Sequence, residues 1–191
     1  MKYSKITPLI KKHKQLAIHT PESGEQWISN GVAAYPILGM PKMSESEMLT
    51  FFGFQVNDNI NVTEWKADKI NLSDAAWGEE HINAFGPALI IGGDDCACFY
   101  TSIGAFIVKE KYLTPCKTHY GEGELSFWLR KSTSGNPLIC VKKGLYLLAA
   151  IHPLKTWGVG DHTMDSYEEL CEMVKLTNSK MKEIAVESEE E

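Results

Sequence analysis

Three groups of residues have the types and spacing for chemistry. Cys116 stands three positions before His119, just after Pro115. A thiol beside an imidazole is a nucleophile with its base, and it works when the thiolate is stabilised. Such pairs are usually assembled in space, so this spacing reads first as two polar residues of a loop. Asp161, His162 and Asp165 set two carboxylates around an imidazole. They also precede a helical pattern, where aspartates favour the helix N-terminus, and helix entry accounts for them without catalysis. Cys96-Ala97-Cys98 offers two thiolates, but zinc takes four ligands, and no second Cys or His pair is spaced to supply the rest. On a strand both sulfurs share one face, which reads as structural thiols of a core. The glycine pairs Gly121/Gly123 and Gly158/Gly160 do not continue into phosphate loops, and no Walker, HExxH, G-x-S-x-G or EF-hand motif occurs. No residue is therefore assigned as catalytic or as a metal ligand, and no cofactor is expected. A small enzyme using Cys116/His119 or Asp161/His162 remains one alternative.

Charge offers a different chemistry. The net charge is −6, which gives no global attraction for nucleic acid. The charges are blocky, however. Residues 1–21 hold five lysines and no acid, and residues 125–160 hold Arg130, four lysines and no acid. Residues 22–124 and 161–191 are acidic, with nets of −9 and −7. Lys11, Lys12 and Lys14 follow a first helix, while Arg130-Lys131 and Lys142-Lys143 flank a hairpin. Phe127, Trp128, Tyr146 and Trp157 are interleaved with the second block. Lysines contact phosphates through counterion release, and aromatic rings stack on bases. With 18 lysines and a single arginine, bidentate base reading is not expected, so binding would follow the nucleic-acid backbone.

Composition bounds the rest. The 191 residues are 43% hydrophobic and 23% charged, as in an average globular protein. No apolar run approaches a membrane span, and the N-terminus shows no apolar signal region. Five cysteines, an odd number at irregular spacing, argue against a disulfide framework and for a reducing, cytoplasmic setting.

The elements that would position these residues follow from periodicity. Ile6, Leu9 and Ile10 share a helical face, with Pro8 in the first turn. Residues 16–20, 26–29 and 32–35 read as a small antiparallel meander, with Asn30-Gly31 as a type I′ hairpin turn. Ser44 and Glu47 form a capping box for a helix that Gly53 ends. Residues 55–80 suggest an exposed loop anchored by Trp65 and Trp77, with short strands or a short helix near 73–77 as options. From residue 82 onward consecutive antiparallel strands are expected, at 87–91, 96–100, 105–108, 125–130, 138–141 and 145–151. Ser166 and Glu169 cap a last helix along Tyr167, Leu170, Cys171 and Val174. The acidic tail 187–191 reads as disordered. The order is α+β: an antiparallel sheet with peripheral helices over residues 1–160, a docked C-terminal helix over 161–186, then the tail.

The succession of helix Ile6–His13, strands Leu16–Thr20 and Gln26–Ser29, turn Ser29-Asn30-Gly31, strand Val32–Tyr35 and helix Ser44–Phe52 resembles the opening of a DNA sliding-clamp domain. The apolar stretch Leu145–Leu154 is similar to a clamp's closing strand. The resemblance implies a clamp-like fold, possible homo-oligomers, and lysines facing double-stranded DNA. The expectation is thus a non-enzymatic cytoplasmic binding module of DNA metabolism, with Lys11, Lys12, Lys14, Arg130, Lys131, Lys142 and Lys143 on phosphates and no membrane partner. A protein-interaction or assembly module without nucleic-acid binding is the other alternative.

Overall fold

The computed structural model describes residues 1–22, 24–67, 70–117 and 124–154. The fold is α+β, with mostly antiparallel strands and short helices. His119, Trp157, both glycine pairs, Asp161, His162, Asp165, the helix expected over 161–186 and the tail lie outside the described residues.

The first compact unit comprises Met1–His81 and Lys111–His152. A 3-10 turn (Tyr3–Lys5) leads into helix α1 (Thr7–His13), whose Pro8 sits in the first turn and which ends where Lys14 turns left-handed at φ 55°. Strands β1 (Gln15–His19), β2 (Trp27–Ser29) and β3 (Ala33–Pro36) form the expected meander. Its tight turn differs from expectation. Gly31 alone takes a positive φ, 86°, and it is the first central residue, as in a type II′ turn. Asn30 instead folds its side-chain carbonyl over the turn, accepting from the Val32 and Ala33 amides at 3.1 and 2.9 Å.

Helix α2 (Glu45–Phe51) starts with the full capping box, the Ser44 amide donating to the Glu47 carboxylate at 2.7 Å. Beyond it the sequence reading of an exposed loop needs correction. Strand β4 (Asn61–Glu64) pairs with β1 in parallel, Val62 opposite Leu16. Its largely exposed residues give no apolar alternation to detect. Trp65 is an anchor, since its carbonyl accepts from His19 Nδ1 at 2.9 Å and its ring meets the imidazole edge-on. Trp77 is not an anchor but fully exposed.

Strand β5 (Glu80–Ile91) follows, then β6 (Asp94–Thr101) and β7 (Gly104–Lys109). The expectation that only strands follow residue 82 is corrected by helix α3 (Glu110–Leu113) and the 3-10 turn Thr114–Cys116. Strands β8 (Leu125–Lys131), β9 (Pro137–Lys143) and β10 (Tyr146–Ile151) complete the first unit as an antiparallel meander. β10 pairs with β3, so the unit's strand order is β4-β1-β2-β3-β10-β9-β8.

Side-chain alternation gives this sheet two occupied faces. Trp27, Ala34, Leu138, Cys140, Leu147 and Ala150 form one apolar cluster, covered by Trp65, Ile70 and Leu72 from the segment after β4. Tyr35 points the other way and donates its hydroxyl to the Tyr112 carbonyl of α3 at 2.8 Å.

The second unit holds Ile82–Glu110 and the chain from Pro153. Its three strands pair in consecutive order, with Gly92 and Gly93 both at positive φ in the β5–β6 turn. Cys96 and Cys98 share one face as the alternation requires, buried with Ile107 against Ile91 and Leu154. Lys109 closes the β6 end by pairing with Asp94 at 2.8 Å.

Candidate functional site

The two basic blocks have different fates. β8 and β9 alternate, so Arg130 shares a face with Trp128, and Lys142 with Cys140. That face is the covered one. Arg130 is 4% exposed and Lys142 5%, and both converge on Glu79. Arg130 Nε and Nη2 each lie 2.8 Å from Glu79 Oε2, and Lys142 Nζ bonds Oε1. The remaining Arg130 donors hold main chain: Nη1 reaches the carbonyls of Asn71 and Ser73 at 2.8 Å, and Nη2 that of Asp74 at 3.2 Å. The Lys142 ammonium also lies 4.7 Å from the centre of the Trp128 ring. These two cations have their donors committed inside the protein and tie segment 71–79 to the sheet.

Lys11 pairs with Asp58 at 2.9 Å, and Lys14 donates to the Asp58 carbonyl at 2.8 Å. The amide of Asn61 donates to the Lys14 carbonyl, which places this block at the β1–β4 edge. β9 lies four strands away from β1, about 19 Å at the usual strand spacing. Lys131 pairs with Pro137 and Lys143 with Leu125, so these two stand at opposite ends of the β8–β9 ladder. The structure does not gather the seven basic residues into one patch. Lys12 and Lys131 are exposed, and Lys143 is half-buried.

The thiol reading fares no better. Cys116 is fully buried, and burial pushes its thiol up to about 12, the opposite of activation. Cys140 is likewise pushed up to about 12 by burial. Among the described residues no three His, Cys, Asp or Glu side chains cluster as metal ligands, and no helix is long and apolar enough to cross a membrane.

The feature that sequence reasoning missed is a cleft of about 590 Å³ in the first unit. β1 and β2 supply His19 and Trp27, their connection supplies Glu25, the tied segment supplies Leu72 and Asp74, and β10 supplies Tyr146. Its volume lies within the range of small-ligand and peptide pockets. Each wall is held from behind. His19 Nδ1 donates to the Trp65 carbonyl, so Nε2 is the acceptor of the neutral ring. Asp74 Oδ1 accepts from the Leu147 amide at 2.8 Å, which docks the 71–79 segment on β10. Glu25 Oε1 takes the Gly39 amide at 3.4 Å. Among the described residues that line it there is no lysine or arginine. Lys42, near the rim, turns its ammonium to the Pro21 and Glu22 carbonyls at 2.5 and 3.0 Å.

Exposed apolar side chains occur in the lining and along the chain beside it. Tyr146 is 66% exposed, Leu145 beside it 84%, and Trp77 follows Asp74 by three residues in the tied segment. The signal for the cleft was present only in part: Tyr146 stands out by type, but the wall depends on a long-range tie no local pattern encodes.

Comparison of the chain with protein-family models, with curated proteins and with solved structures finds no match in any of the three. The likeness to a sliding clamp therefore rests on element order alone.

Proposed function

We propose that this chain is a non-enzymatic, protein-binding module whose recognition site is the cleft between β2, β10 and segment 71–79. The observation that carries this reading is the pairing of a preformed cleft with the largely exposed Tyr146 of its lining, which is preceded in the chain by the exposed Leu145. A small molecule held against Tyr146 would leave its neighbour Leu145 wet. A polypeptide laid across it covers both, and aromatic anchors beside a pocket are what such interfaces use. The buried free thiols of Cys116 and Cys140 suit a reducing compartment, in keeping with a cytoplasmic setting.

The test is selection of a displayed random-peptide library on the full chain, with recovered peptides re-measured against Tyr146→Ala. The reading predicts that recovered peptides lose affinity for the variant. Peptides that bind both proteins equally, or a library that yields no binder, contradict it.

A further inference from the structure

We infer that the polypeptide taken by this cleft is basic, with a lysine or arginine side chain seated against Glu25 and Asp74. The inference rests on the binding-module reading and adds the chemistry of the partner. Four features of the lining carry it. Glu25 and Asp74 are exposed carboxylates on the connection after β1 and on the tied segment, and among the described residues that line the cleft none is lysine or arginine. With its Nδ1 proton held by the Trp65 carbonyl, the neutral form of the His19 ring has Nε2 as its acceptor. Tyr146, largely exposed, offers the aromatic face on which an ammonium or guanidinium rests. Leu72, Pro36 and Leu38 supply apolar wall for the methylene stem of such a side chain. Acceptors, an aromatic face and an apolar wall together match a long cationic side chain and repel a carboxylate. The acidic net charge of the chain adds long-range attraction for a basic segment.

The test uses fluorescence anisotropy with the full chain and three pools of short fluorescein-labelled peptides. The pools share randomised apolar flanks and differ at their central residues, which are Lys/Arg, Gln or Glu. The Lys/Arg pool is expected to bind tightest. Asp74→Asn and Glu25→Gln preserve the acceptors for Leu147 and Gly39, and each should weaken that pool by up to about fivefold while leaving the Gln pool unchanged. Tyr146→Ala should weaken it by about two- to fivefold. Equal affinity for the three pools, or tightest binding of the Glu pool, overturns the charge inference and leaves the binding-module reading standing. Absence of binding by every pool overturns both.

Discussion

Arg130 and Glu79, 51 residues apart in sequence, meet through two guanidinium nitrogens on one carboxylate oxygen, each at 2.8 Å. Lys142 occupies the other oxygen. The consequence reaches the cleft. The same guanidinium grips three carbonyls of the segment that carries Asp74, so the pair fixes a wall of the candidate site from beneath.

Removing the carboxylate charge should therefore be costly. Glu79→Gln leaves two cations with little exposure and no counter-charge, and a loss of about 3 kcal/mol is expected. Urea denaturation of this variant beside Glu22→Gln, an exposed control, measures it. Equal midpoints would show that the cluster is not holding the segment.

The same cluster makes stability depend on acid. Burial acts to raise the Glu79 carboxyl, but hydrogen bonds from Lys142 and Arg130 and their charges outweigh it, so the group sits below its ordinary value. A carboxyl depressed in the folded state adds stability that is complete above its unfolded value, about 4. That stability is lost as pH falls through the folded value. The denaturation midpoint should drop through this window in the parent protein, and Glu79→Gln should flatten the drop. An unchanged slope would contradict the assignment.

Thiol chemistry gives an independent check. Cys116 and Cys140, both pushed up to about 12 by burial, should resist iodoacetamide at neutral pH in the folded protein and react in denaturant. Peptide mass mapping locates the label. Rapid native alkylation of Cys116 would revive the nucleophile reading.

The β2–β3 turn separates backbone strain from contact. Gly31 has φ 86°, and a Cβ there would lie 2.9 Å from Gln15 Oε1. Gly31→Ala should cost about 1–2 kcal/mol, since a side chain disfavours the left-handed region. Adding Gln15→Ala should recover only the part due to the clash. Full recovery would mean that the turn relaxes to negative φ.

Separation of the basic blocks bears on nucleic acid. With Arg130 and Lys142 committed to Glu79 and the other lysines divided between the β1–β4 edge and the two ends of the β8–β9 ladder, a generic duplex should bind weakly, with Kd above about 10⁻⁴ M at physiological salt. Anisotropy at two salt concentrations decides. Tight binding with a log–log salt slope of about −6 or steeper would restore the phosphate reading.

Much of the fold was legible because its signals are local. The Ser44–Glu47 capping box, Pro8 in α1, and the turn-separated apolar runs of β9 and β10 each act within a few residues. β4 was not legible, because its residues are mostly exposed and its order comes from parallel pairing with β1. Lysines in a basic block read as surface, yet the period of two from Cys140 already placed Lys142 on the apolar face. What the sequence does not carry is Glu79 as their partner, and hence the tie that shapes the cleft.

The account stands most directly on where a basic peptide lands. Titrating the ¹⁵N-labelled full chain with the Lys/Arg peptide pool and following amide and indole signals would show it. The account predicts shifts at the Gly24, Glu25, Asp74 and Leu147 amides and at the Trp27 indole, with the Trp128 indole unmoved. Shifts confined to residues outside the cleft, or none at all, would contradict it.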